Sequence, residues 1–175
     1  MSRPSASFRP ASGGRAGTLQ AAGLAMGLPY GLILGLFLGL APTVASADSC
    51  DDLTRQIAAA IGGKVGRRSG PSIDIRLAGP IKFDVTCRAE PIVQATSSEP
   101  TPSAAFFRDL SAASELVVGE SASSVEPIIA NAYRTALSER RKSFIQQNGW
   151  SASCYTDPAS STMRTLCSVG RIPPG

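Results

Sequence analysis

The amino-acid sequence predicts an exported α+β domain, in which about four antiparallel strands form two hairpins and two or three helices pack on one face. Three observations support this prediction. An N-terminal segment is typical of an export signal, four cysteines follow that segment, and apolar residues change between helical and strand spacing along the remaining chain. Because a helix and a hairpin occur twice, we also expect a pseudo-duplicated helix-hairpin unit.

The first 47 residues have the order of side chains expected of a secretory signal peptide. Basic residues precede the apolar stretch 19–41, and small residues follow it. The small side chains of Ala45 and Ala47 predict cleavage before Asp48. We therefore expect a cleavable signal at 1–47 and a single exported domain at 48–175, located in the periplasm or secreted.

The glycines of the apolar stretch support an alternative. Small residues at every fourth position let membrane-spanning helices pack closely, and about 20 apolar residues suffice to cross a bilayer. An uncleaved inner-membrane anchor that oligomerises is thus a second interpretation, and only this one brings the protein into contact with the membrane. The glycines concerned are Gly23, Gly27, Gly31, Gly35 and Gly39.

Composition excludes several classes of function. Three of the 17 basic residues precede the cleavage site and all 13 acidic residues follow it, so cleavage would lower the net charge from +4 to +1. A nearly neutral domain argues against a nucleic-acid partner. Histidine is absent, which excludes Ser-His-Asp and Cys-His catalysis and imidazole metal sites. We expect no metal and no cofactor.

The four cysteines predict two disulfides, because their number is even and the signal implies an oxidising compartment. Cys50 lies on the apolar face of a helix predicted from Cys50 to Ile61, and Cys87 lies on the buried face of the first hairpin. Cys154 lies opposite Cys167 in the second hairpin. We therefore predict the pairs Cys50–Cys87 and Cys154–Cys167, although spacing alone does not exclude the other connectivities.

The predicted elements follow in order along the exported domain. A basic loop (64–71) leads to a hairpin of strands 73–77 and 81–87, where apolar and polar residues alternate. A flexible polar linker at 94–103 precedes a helix at 104–117. A long helix is predicted from Ser123 to Asn148-Gly149, followed by strands 150–156 and 164–172.

Two basic clusters are candidates for anion binding. The first lies in the predicted basic loop and comprises Lys64, Arg67 and Arg68. The second lies near the end of the predicted long helix and comprises Arg140, Arg141 and Lys142. A solvated turn is the simpler interpretation of the first cluster, and a favourable interaction with the helix dipole is the simpler interpretation of the second.

The sequence contains no reactive constellation that we can assign to catalysis. Carboxylates available for a histidine-independent hydrolase are Asp74, Asp84, Glu90 and Asp109, but no spacing marks two of them as a pair. We therefore expect a non-catalytic binding or accessory module of the bacterial envelope. Its partner would be an envelope protein, a polysaccharide or another anionic ligand. The alternatives are a carboxylate-based envelope hydrolase and the membrane-anchored oligomeric factor.

Overall fold

Three helices and seven strands make up residues 45–139 and 141–173, which are the residues that the computed structural model describes. The helices are α1 (Ala45–Ala60), α2 (Ala104–Val118) and α3 (Ala122–Ser138). The strands are β1 (Lys64–Ser69), β2 (Ser72–Arg76), β3 (Ile81–Thr86), β4 (Ile92–Ser97), β5 (Lys142–Gln147), β6 (Trp150–Thr156) and β7 (Thr165–Arg171). The fold class is the predicted α+β, but the sheet has seven strands instead of about four.

All seven strands form one antiparallel sheet in the order β1-β2-β3-β4-β7-β6-β5. The order is nearly symmetrical about the β4–β7 pair. On one side α1 and the edge strand β1 precede the strands β2-β3-β4, and on the other side α3 directly precedes the strands β5-β6-β7. The repeated unit is therefore a helix with three strands, while α2 and β1 have no counterpart.

The hydrophobic core lies between the helices and one face of the sheet. Alternate residues of the inner strands are buried, as in Phe83 and Val85 of β3 and Val93 and Ala95 of β4. They pack with helical side chains that are completely buried, including Phe106, Leu110 and Ile129. We call the opposite side of the sheet the open face, because none of the described helices covers it.

Three strands were missed by the sequence prediction, and each for an identifiable reason. β1 replaces the predicted basic loop, because an edge strand with exposed side chains shows no apolar alternation. β4 occupies the first half of the predicted linker at 94–103, where Ala95 and Ser97 are small enough to be buried without giving a hydrophobic signal. β5 replaces the end of the predicted long helix, which stops at Ser138.

The last of these errors has a local cause. Asn148-Gly149 is typical of a helix stop, but it is also the preferred sequence for a two-residue hairpin turn. Gly149 has a φ of 78°, and Gln147 pairs with Trp150 across the turn. The dipeptide therefore joins β5 to β6.

Both predicted cysteine pairs are found in the structure. Cys50 in α1 is bonded to Cys87, just after β3, with their Cα atoms 5.8 Å apart. Cys154 and Cys167 are directly opposite in β6 and β7, with Cα atoms 4.1 Å apart, and both are buried. One bridge thus lies in each half of the sheet.

The predicted signal peptide and glycine-rich anchor lie outside the described residues, apart from the last few positions. The backbone at Ala45, Ala47 and Asp48 is part of the first turns of α1 in the full-length chain. Of the helices that the structure describes, none combines the length and hydrophobicity needed to cross a bilayer.

Candidate functional site

Charged side chains collect at the β1–β3 end of the open face. Lys64 pairs with Arg76, and Arg76 pairs with Lys82, so these three cations form one row across β1, β2 and β3. Asp74 pairs with Asp84 in the adjacent row. We call these five residues (Lys64, Asp74, Arg76, Lys82 and Asp84) the charged patch.

The two aspartates of the patch are held close together by the hairpin. The amide of Cys87 donates a 2.7 Å hydrogen bond to the carbonyl of Pro71, which makes 71 and 87 a hydrogen-bonded pair of the β2–β3 ladder. Hydrogen-bonded and non-hydrogen-bonded pairs alternate in antiparallel sheets, so Asp74 and Asp84 form a non-hydrogen-bonded pair. In such a pair the two side chains approach more closely than in the other kind.

This proximity changes the acidity of one carboxyl group. Burial raises the pKa of Asp84, the negative charge of Asp74 raises it further, and a hydrogen bond from Thr86 partly offsets both effects. Asp74 is exposed, whereas Asp84 is half-buried. The pair therefore consists of two carboxylates in different environments.

A β-bulge shapes the outer border of the patch. The register between β1 and β2 shifts between Val65 and Arg68, so that two residues of β1 oppose Asp74. One of the two is Gly66, where an added Cβ would lie 3.1 Å from both the Cβ of Asp74 and the Nε of Arg76. Because Gly66 has no Cβ, it provides the space that the side chains of Asp74 and Arg76 occupy.

The charges of the patch do not neutralise one another in close ion pairs. The ion pairs within 4.0 Å among the described side chains join Arg55 to Asp52, Arg68 to Asp51, and Arg108 to Asp109. None of them includes a residue of the charged patch. The three cations of the patch are exposed and are therefore available to a ligand from solvent.

Four of the five patch residues, all except Lys64, line an open cavity of about 610 Å³. This volume lies within the range of small-molecule sites, roughly 300–1,000 Å³. Polar groups come from the patch and from Thr96 of β4, while apolar groups come from the hairpin end, including Leu77 and Ile81. Within the described residues, no group of three or more Cys, Asp or Glu side chains is placed to hold a metal ion.

The structure separates the first predicted basic cluster. Lys64 contributes to the charged patch, whereas Arg68 lies opposite the buried Ile73 and forms an ion pair with Asp51 of α1. Arg67 is exposed within the β-bulge. The three residues therefore do not form one anion site.

The two described residues of the second predicted cluster lie outside the helices. Arg140 lies outside the described residues, Arg141 precedes β5, and Lys142 is the first residue of β5. Arg141 and Lys142 are both exposed. The helix-dipole interpretation is therefore wrong for Lys142, which belongs to a strand.

Of the four candidate carboxylates, only Asp74 and Asp84 are brought together. Asp109 lies in α2 and pairs with the neighbouring Arg108, and Glu90 lies in the connection before β4. The pairing of Asp74 with Asp84 follows from the turn at Ala78–Pro80, because counting outward from that turn gives their register. The hairpin predicted at 73–87 therefore contains the signal for this pair.

No protein-family model, curated protein or solved structure matches this chain. The two disulfides are the observation that bears on location, and they fit a protein that folds outside the cytoplasm.

Proposed function

We propose that the protein is an exported module of the bacterial envelope that binds an anionic polysaccharide, without catalysis, at the charged patch. The observation that carries the proposal is the row of three cations, Lys64, Arg76 and Lys82, which have no close ion-pair partner among the described side chains. Two of them, Arg76 and Lys82, also line an open cavity. Because the predicted signal would direct export, this binding would take place in the periplasm or outside the cell.

The arrangement suits a glycan that carries both negative charges and hydroxyl groups. Cations in one row provide donors for carboxylate or sulfate groups of the ligand. The carboxylates of Asp74 and Asp84 in the next row accept hydrogen bonds from sugar hydroxyls. Because the open face is not enclosed by the described helices, a long chain can lie across it without threading into a pocket.

A pair of polymers with the same backbone tests this proposal. We expect the exported protein to bind carboxymethyl dextran and to bind unmodified dextran much more weakly, as measured by isothermal titration calorimetry. Added salt should weaken the binding, because exposed charge pairs are screened. Equal affinity for the two polymers would contradict the role of the cations.

Matched variants locate the site. The Arg76→Gln/Lys82→Gln double variant should bind carboxymethyl dextran at least about tenfold more weakly, since each lost charged contact is worth roughly 1 kcal/mol. Arg134→Gln is the control, because Arg134 is exposed on α3, away from the open face. If Arg134→Gln weakened binding as much per removed charge as the double variant does, binding would reflect only the overall charge.

A carboxylate-based envelope hydrolase is the second candidate, and the Asp74–Asp84 pair is the observation that favours it. Retaining glycosidases use two carboxyl groups roughly 5 Å apart, one of which carries a raised pKa and acts as the acid. The raised pKa of Asp84 would suit that role, with Asp74 as the nucleophile. Release of reducing ends from polysaccharides by the wild type, and its loss in both Asp74→Asn and Asp84→Asn, would favour hydrolysis over binding.

A further inference from the structure

The two edges of the sheet differ in how they are protected against pairing with another strand. β1 is interrupted by a β-bulge and carries Lys64, Arg67 and Arg68, features that discourage edge-to-edge association. β5 is paired without interruption along its whole length, and Lys142 is its one charged residue. Phe144, in its centre, is 60% exposed.

The near-symmetry of the sheet makes the β5 edge incomplete. β5 corresponds to β2, because each is the third strand outward from the β4–β7 boundary at the centre of the sheet. The outer side of β2 is covered by β1, whereas none of the described strands pairs with the outer side of β5. The position equivalent to β1 is therefore open beside β5.

The hydrogen bonds between β5 and β6 determine which backbone amides and carbonyls of β5 remain free to pair at the outer edge. The amide of Thr156 donates a 2.9 Å hydrogen bond to the carbonyl of Arg141, which fixes the alternation along β5. Ser143, Ile145 and Gln147 direct their backbone groups towards β6. The amides and carbonyls of the remaining three residues, Lys142, Phe144 and Gln146, therefore point outward.

We propose that β5 pairs with β5 of a second copy of this chain, antiparallel and centred on Phe144. A two-fold axis perpendicular to the sheet places Phe144 opposite its own copy, and Lys142 opposite Gln146. All three outward-facing residues of each copy then exchange hydrogen bonds, about six in total. No like charges face each other, the two phenylalanine rings become cross-strand neighbours, and the two seven-stranded sheets join into one.

Sedimentation equilibrium of the exported protein tests the proposal. We expect a reversible dimer, and we expect Phe144→Lys to weaken it at least about tenfold, because two cations would face each other in place of two rings. Val65→Lys is the matched control, since Val65 is 44% exposed on the β1 edge, and its dimer should persist. A wild type that is monomeric throughout, or a dimer unaffected by Phe144→Lys, would overturn the proposal.

Hydrogen exchange of the wild type gives a second measurement that needs no variant. The amides of Lys142, Phe144 and Gln146 should be protected at high protein concentration and exchange quickly on dilution. The amides of Ser143 and Ile145 should stay protected at both concentrations, because they bond to β6. Fast exchange of the first three amides at all concentrations would contradict edge pairing, whether or not the charged patch binds a glycan.

Discussion

Arg171, the last residue of β7, donates a 3.0 Å hydrogen bond from its Nε to the carbonyl oxygen of Val117 in the last turn of α2. The helix then ends at Gly119, which has a φ of 81°. A cation is favourable at this position because carbonyl groups at a helix C-terminus are unpaired and carry partial negative charge. The contact fastens α2, which has no counterpart in the other half, to the central part of the sheet.

Replacing this arginine should destabilise the fold without affecting the charged patch. We expect Arg171→Met to lower the free energy of unfolding by about 1 kcal/mol, the usual worth of one such hydrogen bond. Urea denaturation measures the change, and Arg134→Met is the control for loss of an exposed arginine. An unchanged midpoint for Arg171→Met would show that solvent replaces the contact without cost.

The aspartate pair predicts a dependence of stability on pH. Because the pKa of Asp84 is raised in the folded state, the folded protein holds this proton to a higher pH than the unfolded chain does. The stabilisation that Asp84 contributes to the fold is therefore greatest at pH values below its unperturbed pKa of 3.8. It is lost as pH rises through the higher pKa of Asp84 in the folded state. Near neutral pH, Asp84→Asn should be more stable than the wild type by about 0.2–1 kcal/mol, because like charges no longer face each other.

Urea denaturation at neutral and acidic pH tests this expectation. The advantage of Asp84→Asn should shrink as pH falls through the raised pKa of Asp84, because protonation then removes the same negative charge that the substitution removes. Glu126→Gln, which changes an exposed carboxylate on α3, serves as the control. A neutral-pH loss of stability in Asp84→Asn alone would mean that the carboxylate has a favourable partner.

Gly66 predicts a local effect on the patch. An added Cβ would lie 3.2 Å from the carbonyl oxygen of Asp74, as well as close to its Cβ and to the Arg76 guanidinium. We expect Gly66→Ala to displace the Arg76 side chain and to weaken binding of carboxymethyl dextran several-fold. The calorimetric titration used for the charge variants measures this effect, and unchanged affinity would exclude Gly66 from shaping the site.

The two disulfides should differ in their contribution to stability. They close loops with sequence separations of 37 and 13 residues, for which loop entropy gives roughly 4 and 3 kcal/mol. Removing Cys50–Cys87 by double substitution to alanine should therefore cost more than removing Cys154–Cys167. Denaturation of both variants gives the comparison, and the reverse order would show that packing around the buried Cys154–Cys167 bridge outweighs loop closure.

The intact mass of the exported protein tests the signal peptide. Cleavage before Asp48 should leave a chain that begins with that residue and contains two disulfides. Its mass should rise by four hydrogens on reduction. A mass that includes residues 1–47 would favour the anchored alternative.

The sequence predicts those parts of the fold in which the burial of alternate side chains gives a regular alternation of apolar and polar residues. Ile73 and Ile75 alternate with charged residues, and Cys87 continues the apolar positions of β3, so the first hairpin and its disulfide were found. β1 and β5 lie at the edges, where weaker burial leaves weaker alternation.

The charged patch could not be predicted as a unit for a different reason. Its rows are created by pairing between strands, and Lys64 joins Arg76 only because β1 exists and carries a β-bulge. Asp74 and Asp84 belong to one hairpin, so their pairing was accessible from the turn. Their isolation from ion-pair partners depends on side-chain positions in three dimensions.

The symmetrical order of the sheet has a consequence for the integrity of the chain. Each disulfide lies within one half, and neither crosses the β4–β7 ladder, where the halves meet through six paired positions. Between β4 and α2, residues 98–103 are the covalent link from one half to the other. A protease that cuts there would produce two internally bridged fragments, which the β4–β7 ladder and the shared core would hold together as a nicked, two-chain protein.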